Sequence, residues 1–145
     1  MGLRWWAPVP VMIGCLASCQ TAPVPPEVPQ NTVVETRISQ PLGVASTGKV
    51  GRPVVIGLMG GGADLCFRAD RVDVAVDDTA KVVTLKAYVR DVRTPTQGCG
   101  QAVIDIPLVA TFTPTSTGVY RIEARGWDTD ESREIVRTAE ITVTE

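Results

Sequence analysis

The strongest constraint on this chain is a two-residue rhythm in its apolar side chains. A β-strand sends successive side chains to opposite faces, so alternation marks a half-buried strand. Asp70–Val76 sets Val72, Val74 and Val76 on one face and Arg71, Asp73 and Ala75 on the other. Lys81–Val89 turns Val83, Leu85, Ala87 and Val89 inward and Thr84, Lys86 and Tyr88 outward. The short Asp77–Ala80 link joins these two as a hairpin. Gly118–Gly126 alternates through Tyr120, Ile122 and Ala124, and Ile135–Val143 aligns Ile141 with Val143. Val103–Phe112 is apolar enough for a strand covered on both sides for part of its length, although Pro107 demotes its middle to an edge or a bulge. Thr32–Ile38 and Pro53–Met59 complete a set of about seven strands, and no helical spacing is sustained after residue 30. Short strands at this density predict an all-β, antiparallel sandwich, with a closed barrel as the alternative.

The stretch Thr111–Ile122 narrows the class. Gly118 and Tyr120 follow a polar turn, Thr113–Thr117. This resembles the lead into the penultimate strand of immunoglobulin-like domains, where a tyrosine hydroxyl bonds back to the turn. Ile122 stands where an antibody domain carries its second cysteine, and Trp127 lies too late to be the third-strand tryptophan. The resemblance is therefore to bacterial Ig-like or fibronectin-III-like modules, and it implies an Ig-like β-sandwich over residues 31–145.

The N-terminal segment has a different character. Arg4 opens it, and Trp5–Ser18 is uncharged and mostly apolar. Fourteen residues fall short of the ~20 that span a bilayer as a helix, and Pro8 and Pro10 oppose one. A charged start, a short apolar run and a small-residue end make a secretory signal. Leu16-Ala17-Ser18-Cys19 resembles the lipobox of bacterial lipoproteins; Met12-Ile13-Gly14-Cys15 is a rival match. The resemblance implies removal of residues 1–18 and acylation of the Cys19 thiol. It also implies attachment to a membrane through acyl chains, since two chains suffice for stable anchoring. Gln20, in place of Asp, implies the outer membrane if the source is Gram-negative. Residues 19–30 then form anchor and tether: four prolines between Thr21 and Gln30 favour an extended polyproline II segment spanning roughly 30 Å.

Composition bears mainly on what chemistry is open to the body. There is no histidine, which removes the commonest general base and transition-metal ligand. A net charge of −2 argues against a nucleic-acid partner. Cys66 and Cys99 remain after processing, and a pair in an exported domain predicts a disulfide. Closing that loop contributes roughly 3–4 kcal/mol in the chain-entropy view. Gly60-Gly61-Gly62 reads as a turn; it lacks the Lys-Ser/Thr of a phosphate loop. No Ser-x-x-Lys is formed by Lys49, Lys81 or Lys86. Asp128–Glu131 has alternate acidic oxygens suited to Ca²⁺, but lacks a full Ca²⁺ loop and reads as a solvated turn. Trp127 with Tyr88 suggests a weak glycan or peptide surface. The expectation is a non-enzymatic, cofactor-free, lipid-anchored envelope protein that contacts another envelope protein or polymer. The alternatives are an accessory or pilot lipoprotein offering a sheet edge, and a glycan- or Ca²⁺-dependent ligand-binding module.

Overall fold

The structure, a computed structural model, describes residues 31–145 except 95, 97 and 129–132. Cys15, Cys19 and the tether lie outside the described residues, as does most of the Asp128–Glu131 turn. Nine strands and no helix are present among the described residues. They are β1 (Val33–Glu35), β2 (Gly43–Val44), β3 (Thr47–Lys49), β4 (Val54–Gly62), β5 (Phe67–Asp77), β6 (Val82–Asp91), β7 (Ile104–Phe112), β8 (Gly118–Asp128) and β9 (Arg133–Thr144).

The predicted hairpin is β5–β6, in the register that pairs Val72 with Ala87 and Val74 with Leu85. Its turn is closed by Asp77, whose carboxylate accepts the Thr79 and Ala80 N–H groups at 3.0 and 2.9 Å. Lys81 leaves that turn in the left-handed region, at φ 58°. Asp70 is the extra residue of a bulge between Ala69 and Arg71.

Two sheets face each other. The larger runs β5–β6–β8–β9–β3, with β1 beside the C-terminal half of β6, and curls into a half-barrel. The smaller is β2–β4–β7. Two pairings are parallel, β6 with β8 and β3 with β9. Strands β6 and β8 run the same way because β7 crosses to the other sheet between them. The core lies between the sheets: Ile56, Leu58, Leu108 and Phe112 from the smaller meet Val83, Leu85, Tyr120, Ile122 and Ile141 from the larger. Each such side chain, fully buried, contributes roughly 1.5–3 kcal/mol.

Three expectations change. Gly60-Gly61-Gly62 is not a turn but the end of β4. A Cβ on Gly60 would stand 2.7 Å from the Thr36 methyl, and one on Gly62 would stand 2.9 Å from Phe67 Cβ. The glycines are absent side chains that let neighbours pack, not a flexible loop. Val103–Phe112 is covered on one side only: Ile106, Leu108 and Ala110 are buried, while Val109 is 65% exposed. Val55 at 60% exposure lies diagonally across from Val109, so the outer face of the smaller sheet carries exposed apolar side chains. The strand set also exceeds seven, because β2 and β3 have two and three residues, too few to show a period.

Pro107 sits as an edge residue should. Met59 and Gly61 direct their backbone groups to the segment before β2, since Ser39 N–H donates to Met59 O and Gly61 N–H to Arg37 O. Their partners Pro107 and Asp105 therefore face the open side of β7, where a missing N–H breaks no ladder.

Candidate functional site

The expected disulfide forms, joining Cys66 to Cys99 with Cα atoms 5.6 Å apart. It organises one end of the sandwich. Cys66 N–H donates to Asp64 Oδ1 at 2.8 Å, Leu65 N–H to Gly100 O at 3.1 Å and Val92 N–H to Cys66 O at 3.0 Å. Arg93 bridges two carboxylates, reaching Asp64 at 2.7 Å and the buried Asp91 at 3.1 Å. The β4–β5 turn and the long β6–β7 connection are thus fastened to each other by a covalent bond, backbone bonds and an ion-pair bridge.

The Asp64 carboxylate and the two sulfurs lie within 4.8 Å of one another. That spacing would suit a metal if the donors were free. Here the sulfurs are spent on each other, and both Asp64 oxygens accept hydrogen bonds. In the oxidised chain the trio is structural.

A groove of about 260 Å³ opens beside this end. Val34, Phe67, Val89 and Val103 supply its apolar wall, with Gly61 and Arg37 along one side. Val34 remains 40% exposed and Val103 69% exposed. Arg37 lies across Gly61, where a Cβ would come within 2.5 Å of its Nε. Leu65 and Val92 add exposed apolar surface on the same end.

Sequence reasoning placed the disulfide but missed the groove. Its walls come from four strands far apart in the chain, and no local pattern announces them. The exposed valines were the available signal, yet alternation assigns a valine to a face without saying whether that face is covered.

Other candidates resolve into structure. The fold brings Lys81 Nζ against Ser116 Oγ, with Tyr120 Oη 3.4 Å away. Tyr120 Oη donates to Asp78 Oδ1 at 2.6 Å and lies 3.3 Å from Ser116 Oγ. The Tyr120 hydroxyl, then Thr115, hold the Asp78 carboxyl below the usual carboxylate range. Tyr120 thus ties the β5–β6 turn to the turn before β8, fully buried and in contact with Phe112. Gly118, at φ 131°, supplies the backbone bend that aims it.

The outer face of the larger sheet is charged and internally matched. Glu123 is pinned between Arg125 and Arg121, which hold it below its usual range. Asp70 is held down by Arg90 and then Arg71. Arg71 covers the Tyr88 ring at 4.2 Å, so that ring is not a bare platform for a sugar. Trp127 extends β8 opposite Glu134; its side chain is outside the described part. No described helix is long and apolar enough to cross a membrane. Comparison with protein-family models, curated proteins and solved structures gives no match.

Proposed function

We propose that this is a lipid-anchored, non-enzymatic contact protein of the cell envelope, attached through Cys19 and presenting its disulfide-bound end to a protein partner. The observation that carries the reading is the concentration of exposed apolar side chains around a rigidly fastened rim: Val34, Leu65, Val92 and Val103. Such surface is costly to leave in water, and apolar patches rimmed by polar groups mark interaction sites. The lipobox-like Leu16–Cys19 supports the anchor, and the Pro-rich residues 19–30 support a stand-off.

An Ig-like sandwich remains the finer reading of the fold. The Tyr120 hydroxyl bonding back to turn residues supports it, as does parallel pairing of β3 with the last strand. One feature departs from the immunoglobulin order: β6, the second strand of the hairpin, lies beside β8, where that order places the strand corresponding to β5.

The test has two arms. Cys19→Ala should release the protein from the membrane fraction; continued retention refutes the anchor. A photo-crosslinking residue at Val103 or Leu65 should trap one defined envelope protein in cells, and the same residue at Val55 should trap none. Crosslinks confined to Val55 would move the contact to the outer face of the smaller sheet and refute the site.

A further inference from the structure

The larger sheet ends in β9, which β3 covers only at its C-terminal end. Thr142 N–H donates to Ser46 O and Val50 N–H to Thr144 O, so the even-numbered residues of β9 face that side. β3 reaches no further along β9 than Thr142. The pairing of β9 with β8 runs without a register shift, so Glu134, Val136, Thr138 and Glu140 turn their backbone groups the same way. No described residue takes those groups up.

The other edges are covered, short or blunted, as edges must be to keep chains apart. β7 carries Pro107 on its open side. β5 is broken by the Asp70 bulge and packs against β7. β1, β2 and β3 have only two or three residues each. Glu134–Glu140 has none of these devices, nor a Lys. Its one inward-facing charge, Arg137, reaches back to Ile38 O at 3.5 Å rather than standing across the edge.

We propose that β9 pairs with β9 of a second copy, antiparallel about a two-fold axis at Val136. Val136 then exchanges both its backbone hydrogen bonds with Val136 of the second copy, and Glu134 exchanges both of its own with Thr138. The side chains agree with this register. Val136, 41% exposed in one copy, meets itself, and Glu134 meets a neutral Thr138. On the inner face Ile135 lies across from Arg137, whose stem is apolar. Other registers fit worse. Slipping by one residue pair sets Glu134 opposite Glu140, like charge against like. One pair further needs Thr142, already bonded to Ser46. Slipping the other way sets Glu134 against Val136 and shortens the overlap. The contact joins two larger sheets into one and uses none of the groove residues, so it goes beyond the proposed contact function and does not depend on it.

Cysteine crosslinking of the full chain in detergent, under mild oxidation, tests the register. Facing residues of a hydrogen-bonded antiparallel pair lie about 5.5 Å apart at Cα, within disulfide reach. Val136→Cys should therefore link to itself as a covalent dimer. Glu134→Cys or Thr138→Cys alone sits about 13 Å or more from its own copy, four residues out of register, and should give at least about tenfold less; mixed together, the two should link to each other. Wild type sets the background from its own thiols. Val136→Pro removes an N–H that has no partner within one copy, so it should keep the wild-type melting temperature in dilute solution and sediment as a monomer where wild type sediments as a dimer. A Val136→Cys dimer no stronger than background, equal linking by Glu134→Cys and Thr138→Cys alone, a dimer that survives Val136→Pro, or a monomeric wild type at every concentration overturns the proposal. So does a disulfide formed in cells between Val136→Cys and a different protein in place of the second copy.

Discussion

Gly126→Ala is the substitution that most directly tests how the two sheets are joined. Residues 36–38 cross from β1 in the larger sheet to the smaller sheet, passing over β8 at Gly126. A Cβ there would stand 2.5 Å from Thr36 O, 3.1 Å from Arg37 Cα and 3.1 Å from Ile38 N. All three are backbone atoms, so no side chain can swing aside and the crossing itself must lift. Ile38 is anchored beneath it at 1% exposure. Overpacking of this kind costs about 1–3 kcal/mol, against which Ala regains about 0.5–1 kcal/mol of backbone entropy over Gly. The net expectation is a loss of about 1–2 kcal/mol. With a urea slope of about 1–3 kcal/mol per molar, the unfolding midpoint should fall by about 0.5–1 M. Gly98→Ala, which meets nothing within 4 Å, serves as the internal standard and should sit close to the wild-type midpoint. If Gly126→Ala unfolds at the same urea concentration as Gly98→Ala, the close crossing over β8 is wrong.

Further expectations follow from the same geometry. Replacing Cys66 and Cys99 together by Ser should lower stability by about 3–4 kcal/mol in the chain-entropy view, measured by urea unfolding, whereas a change under about 1 kcal/mol would mean the β4–β5 and β6–β7 segments hold without the bond. Tyr120→Phe should raise the Asp78 titration toward the ordinary carboxylate range, followed by carboxyl NMR, because the Tyr120 hydroxyl is the largest cause of its depression; an unmoved titration would refute that bond. Asp70, Asp78 and Glu123 all titrate low in the folded chain. Their contribution is therefore complete above the unfolded carboxylate range and is lost as pH falls through their folded values, so thermal midpoints should be flat near neutrality and drop in acid. A midpoint that rose on acidification would contradict this sign.

Much of the body was legible because its strands are amphipathic. In β6 and β8 the alternate residues Val83, Leu85, Ala87 and Val89, and Tyr120, Ile122 and Ala124, are apolar and buried, and the sequence shows this directly. The Cys66–Cys99 bond was legible from counting alone. Hidden features arise where a residue's meaning depends on a distant neighbour. Gly60–Gly62 looks like a turn until Thr36, Arg37 and Phe67 are seen occupying its missing side chains. Val109 looks buried in the sequence, yet it is largely exposed. Strands β2 and β3 are held by partners in β4 and β9 rather than by their own sequence, so no local signal could mark them. Hairpin pairing was readable, but the parallel contact of β6 with β8 was not, because it depends on which sheet β7 joins.

The parallel contacts also set an order of events. β3 pairs with β9 across Thr47–Thr142 and Lys49–Thr144, near the two ends of the body. A chain emerging from its N-terminus makes β3 early and must wait for its last residues before that edge can close. Pairings so distant in sequence carry a loop-closure cost before any contact repays it, and they slow folding. Meanwhile the β5–β6 hairpin, with its four-residue turn, can form as soon as it appears. The nascent body is therefore a hairpin in search of a sheet, with β3 unpaired until the C-terminus arrives. A C-terminal truncation that removes β9 would leave β3 without the neighbour that completes it.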